Sequence, residues 1–294
     1  MSKRILKHAP LVHAVLHLRF SEAPSLNPIS NELMKALHER MISEGFQEKI
    51  ESEANIVDVG FDPVRQQMVQ NQVQRKRVLF RAAGEQDIVE ILNDSIVLKT
   101  TNYQGFKDFY DKFHRVLNGC LDIFSGLNST LLKSVGLRYV DVIAPTGGCT
   151  LKEFVSSEVL PPSLDMVGPL THHVQGATLK VIETKPGQVL VVNFEELRCN
   201  GGRVYKILPD NLVEPDPNCG LIINGQSEWL VVSSETYGLL DVDHSHNFVG
   251  SPKFSITLIE SAANELYQHA SDVFWNVISE KARDTWGEEI VNVE

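Results

Sequence analysis

The run Leu137-Arg138-Tyr139-Val140-Asp141-Val142-Ile143, followed by Ala144-Pro145-Thr146-Gly147-Gly148, decides how this chain is read. Seven residues rich in β-branched and aromatic side chains predict a strand, and the Pro-Thr-Gly-Gly run behind it predicts a turn-rich boundary. With 294 residues the chain can hold one large core or two ordinary ones. The boundary divides it into an N-terminal half, 1–148, and a C-terminal half, 149–294. Alternation places Arg138 beside Val140 and Val142, on the face opposite Leu137. A guanidinium among apolar neighbours needs a carboxylate or carbonyl partner, so a structural ion pair is the first reading of Arg138 and ligand contact the second.

Upstream, Val12 to Phe20 alternates, with Val12, Ala14, Leu16, Leu18 and Phe20 on one face and His13, Val15, His17 and Arg19 on the other. Asn27-Pro28 then reads as a helix start, with an apolar stripe Ile29, Leu33, Ala36, Leu37 and Met41 that stops near Gly45. Ile56 to Phe61, a hydrophilic run from Met68 to Phe80, and Ile88 to Leu98 predict an antiparallel meander. Arg75, Lys76 and Arg77 read as charges that discourage edge pairing. The stripe Phe106, Phe109, Tyr110, Phe113, Val116, Leu117, Cys120, Leu121 and Phe124 predicts about five turns of helix. Such an aromatic stripe could line a ligand pocket, but packing onto a sheet is the commoner outcome.

Downstream, a short helix is expected from Leu151 to Val159. Strands follow at His173 to Thr184 and Val189 to Leu197, joined by a Lys185-Pro186-Gly187 turn. Residues 208–220 carry three prolines and predict an exposed loop. A strand from Trp229 to Asp243, a loop at 244–250 and a long amphipathic helix from Ile259 to Ile278 complete the chain, with Trp286-Gly287 beyond. The fold class is therefore α+β, in two halves that are each an antiparallel sheet with helices packed on one face.

Charge is lopsided: residues 1–150 carry net +1 and residues 151–294 net −12. A cluster of one sign repels nucleic acid and anionic lipid and steers a basic partner inward. Glu195, Glu196, Asp210, Glu214, Asp216, Asp241 and Asp243 are the carboxylates that would form a partner-binding face. Cys120, Cys149, Cys199 and Cys219 are too far apart for a zinc knuckle or a dense disulfide frame. Pro10, His13 and His17 break the apolar stretch behind the basic N-terminus, and no window is apolar enough to span a membrane, so a cytoplasmic location is expected.

Asp241-Val242-Asp243-His244-Ser245-His246 is the most metal-like string, yet strand alternation sends the carboxylates and the imidazoles to opposite faces. The adjacent pair His172-His173 also diverges. His13 and His17 share a face without a third ligand. No metal or cofactor site is expected. With no nucleophile elbow, zinc-protease helix, phosphate loop or dinucleotide fingerprint, binding is favoured over catalysis.

His8-Ala9-Pro10-Leu11-Val12 through Leu18-Arg19-Phe20, the Val135-to-Ile143 strand, Leu240-Asp241-Val242-Asp243 and the last helix with Trp286-Gly287 resemble a sporadically distributed, uncharacterised bacterial protein family. His13 and His17 stand where that family's pattern has acidic residues. The resemblance carries no established activity, but some members look like immunity partners of secreted nuclease toxins. The leading expectation is thus a non-enzymatic, acidic immunity or antitoxin-like protein. Its partner would be a basic toxin, such as a nuclease effector of type VI secretion, whose cationic groove a negative face would mask. The alternative is a small-molecule-binding or enzymatic α+β domain with a pocket between helix and sheet, using Arg138 and the histidines. A structural homodimer is the third reading.

Overall fold

A computed structural model describes residues 2–62, 67–162, 174–223 and 232–292. Nine strands form one antiparallel sheet. The N-terminal half supplies β2 (Leu11–Phe20), β3 (Glu48–Asp62), β4 (Gln67–Arg81), β5 (Asp87–Ile91), β6 (Ser95–Thr100) and β7 (Leu132–Ile143). The C-terminal half supplies β8 (Gln175–Lys185), β9 (Gln188–Arg198) and β10 (Thr236–Asn247). Their spatial order is β3-β4-β5-β6-β2-β7-β10-β9-β8. A separate ribbon pairs β1 (Ser2–Leu6) with β11 (Glu288–Asn292).

The α+β class with helices on one side of an antiparallel sheet is what the patterning predicts. Each half contributes a contiguous set of antiparallel strands, but they are not separate sheets. β7 and β10 pair from Ser134↔Asn247 to Ile143↔Gly238 and join the sets edge to edge. Hydrophobic patterning fixes which face of a strand is buried but not which neighbour it pairs with.

Among the described residues five helices lie on one face: α1 (Asn31–Ser43), α2 (Phe106–Ile123), α3 (Leu151–Phe154), α4 (Ile256–Val277) and α5 (Glu280–Thr285). The predicted stripe of α2 is buried from Phe106 to Cys120, and the core it joins also contains Leu16 and Leu18 of β2, Leu137 of β7, Phe194 of β9 and Leu266 of α4. One core therefore draws on both halves. Each fully buried Phe or Leu contributes about 1.5–3 kcal/mol relative to exposure. Gly238 marks the tightest contact, since a Cβ there would stand 2.6 Å from the Phe194 ring.

Several local expectations are corrected. The helix after Asn27-Pro28 starts three residues later, where the Ser30 hydroxyl accepts a hydrogen bond from the Leu33 amide. Ile88 to Leu98 is two strands, reversed at Asn93-Asp94 where the Leu92 amide reaches the Ser95 carbonyl. A bulge between Leu11 and His13 turns Val12 to the helix-free face, where it packs with Val140 and Leu239. β10 runs on through His244 to Asn247 instead of ending at Asp243. Arg77 is buried on an internal strand, and β3 is the edge. The pair His172-His173 and residue Trp229 lie outside the described residues.

The 208–220 loop is not simply exposed. Together with residues from Cys199 onward it straps the helix-free face of the sheet. Val204, Ile207, Leu208 and Leu212 pack on Val140, Val142, Leu197, Tyr237 and Leu239, while Cys219 and Leu221 pack on Leu79 and Ile88. Among the described residues no helix is long and apolar enough to cross a membrane.

Candidate functional site

The seven acidic candidates do not form one solvent-facing plate. Strand alternation sends Glu195 and Glu196 to opposite faces: Glu195, 7% exposed, meets Lys206 at 2.9 Å, and Glu196 accepts a hydrogen bond from the Thr236 hydroxyl. Arg138 donates from Nε and Nη2 to the two oxygens of Asp241, each at 2.7 Å, and a further bond to Asn211 of the strap. Asp243 lies in the field of the same guanidinium, but burial pushes its carboxyl above the usual range.

Glu214 reaches from the strap into the N-terminal half. Arg77 donates to both its oxygens, one bond measuring 3.2 Å, and Lys99 stands 3.6 Å away. Burial alone would raise the Glu214 carboxyl, but Arg77 and Lys99 more than offset it and hold it below its ordinary value. Asp216 accepts from the Ser52 hydroxyl at 2.6 Å. Only Asp210 stands well out, its side chain 92% exposed beside Lys206. Charge totals count these acids without showing that basic residues of the same chain already face them.

His244, fully buried under α4, has Nδ1 at 3.2 Å from the Leu266 carbonyl and Nε2 at 3.0 Å from the Thr184 hydroxyl. Asp241 and Asp243 point the other way, as alternation requires. His13 and His17 share the helix-free face, and burial lowers both to about 4, with Lys99 and Arg138 adding to the effect on His13 and Arg19 to that on His17. Among the described residues no group of three His, Cys, Asp or Glu side chains is arranged to hold a metal ion.

Between β7, β10 and α4 lies a half-open cavity of ≈ 210 Å³, with β1 along one end. At ~30 Å³ per water in the liquid, that is the volume of about seven waters, small for a ligand site. Tyr103, Tyr139, Tyr267, Phe274 and Trp275 supply aromatic walls. Counting by two along β7 puts Leu137, Tyr139, Asp141 and Ile143 on the helix-facing side, and Asp141 therefore enters this apolar space.

Asp141 is the singular group. It is 3% exposed, and no hydrogen bond or ion pair engages its carboxyl among the described residues. Burial raises it from 3.8 to about 8, with no compensating charge. The Tyr139 hydroxyl is buried beside the Tyr103 hydroxyl, its hydrogen-bonding neighbour, and the Tyr103 ring meets the Tyr139 ring edge-on at 5.5 Å. Phe106, the first residue of α2, stacks on Tyr267 of α4 at 4.3 Å and fixes that wall. At the mouth the Arg4 guanidinium lies 4.5 Å over the Trp275 ring.

Neither Arg138 nor His13 and His17, which the pocket reading drew on, lines this cavity; they belong to the other face of the sheet. Asp141 and Tyr139 were passed over, although an acid on the apolar parity of a strand was a signal available in the sequence. No protein-family model matches this chain, and no curated protein matches it.

Proposed function

We propose that this protein binds a small molecule in the cavity between α4 and the β7–β10 seam. The observation that carries the proposal is Asp141, a buried carboxyl without a partner that opens into an aromatic-walled cavity. Leaving such a group unsatisfied costs about 1–3 kcal/mol or more, an expense that folding alone gives no reason to retain. A ligand that satisfies it recovers that free energy on binding. Apolar walls with a few convergent polar groups are the usual make-up of a small-molecule site.

Neutralisation of a basic toxin would need the seven carboxylates to be free in solvent. Glu195, Glu214 and Asp241 already face lysine or arginine within the chain, so the acidic face has less support than the cavity.

The test is a thermal-shift screen of small metabolites against the wild-type chain and Ser271→Phe, which would fill the cavity from α4. Compounds that bind there raise the wild-type midpoint and leave the filled variant unmoved, with circular dichroism confirming that the variant folds. Shifts that persist in the variant place binding elsewhere. A screen with no wild-type shift at millimolar concentration rejects the proposal.

A further inference from the structure

We infer that the cavity selects an organic cation, an ammonium group on a small apolar or aromatic body, with Asp141 as its counter-charge. The inference rests on the cavity being a ligand site and adds the ligand's charge and chemistry. Three features of the geometry lead to it. Asp141 is the acid that lines the cavity, and among the described residues no cation stands against it. The walls are aromatic faces, which attract cations through the ring quadrupole, most strongly once water is excluded. Trp275 already holds one cation, the chain's own Arg4, at 4.5 Å.

The groups around Asp141 restrict the alternatives. From β7 it faces Tyr139, from the segment before α2 it faces Tyr103, and from α4 it faces Tyr267; Asp108 of α2 stands behind Tyr103. Burial raises the Tyr103 and Tyr139 phenols, so they remain neutral donors across the physiological range. Arg4 is at the mouth, over Trp275, and does not pair with Asp141.

With its carboxyl at about 8, Asp141 is protonated at pH 7 in the free protein. An ammonium ion entering the cavity favours the carboxylate, and the displaced proton leaves to solvent. The bound state is then an ion pair, with one proton released from Asp141 and none transferred to the ligand. Affinity for the ammonium therefore rises about tenfold per pH unit up to about pH 8 and levels off above it.

Four probes with one ring and one chain length separate the possibilities: 2-phenylethylammonium, 2-phenylethanol, phenylacetamide and phenylacetate. Isothermal titration calorimetry in two buffers of different ionisation heat gives affinity and proton release together. The expected result is at least a tenfold preference for the ammonium at pH 8, release of close to one proton at pH 7, and loss of both in Asp141→Asn. That variant should still bind 2-phenylethanol, which shows that its cavity is intact. If the alcohol or amide binds as tightly as the ammonium, Asp141 acts as a neutral donor; the cation inference fails and the cavity reading survives. Preference for phenylacetate would assign recognition to Arg4 and overturn the inference in the same way. Binding of none of the four at millimolar concentration counts against both readings.

Discussion

Asp141 couples stability to pH in the direction opposite to that of a salt-bridged acid. Its folded value, about 8, lies above the ordinary 3.8, so between those values the folded chain holds a proton that the unfolded chain has lost. Stability from this group is complete below about pH 4 and falls as pH rises towards 8, by about 1.4 kcal/mol per unit. Asp141→Asn keeps the shape and removes the titration. Urea denaturation should find the variant more stable than wild type at pH 8, by on the order of 5 kcal/mol, with the difference vanishing near pH 4. Equal stabilities at pH 8 would mean that the carboxyl is already satisfied in the folded chain. Arg138 illustrates the opposite case, since the ion pair expected of it from its apolar neighbours is made with Asp241.

At the scale of elements, the strap from Cys199 to Ile223 joins distant parts of the chain through a few charged contacts. Glu214 lies on Arg77 and Lys99, and the Ile222 amide and carbonyl bond to the Glu85 carbonyl and the Thr101 hydroxyl. Arg77 also contacts Glu90, and its side chain is only 4% exposed. Breaking a buried pair from one side costs about 3–5 kcal/mol because the partner charge is left in low dielectric. Glu214→Ala should therefore free the strap locally while the sheet persists. Limited proteolysis is expected to cut the variant between residues 205 and 220 at least tenfold faster than wild type, with far-UV circular dichroism unchanged. Cleavage at the wild-type rate would show that the apolar contacts of Val204, Ile207 and Leu212 hold the strap unaided.

For the whole molecule, the β7–β10 seam and the shared core make the halves 1–148 and 149–294 mutually dependent. Removing either half would strip β7 or β10 of its neighbour and expose Leu137, Leu240 and Leu266. The chain should unfold in one step, with tryptophan fluorescence and far-UV circular dichroism giving the same urea midpoint. Two separated midpoints would show that the halves are independent after all. Much of this was legible beforehand. Strand and helix identity, the α2 and α4 stripes, the Lys185-Pro186-Gly187 turn and the parity of Asp241 against His244 all follow from periodicity and turn chemistry, which act over a few residues. Sequence by itself thus determined the elements, their buried faces and the α+β class. Tertiary structure alone decided that two strand sets form one sheet, that the acids of the second half meet arginines and lysines, and that Asp141 opens into a cavity. Those outcomes depend on which residues far apart in the chain become neighbours, and local patterning does not encode that choice.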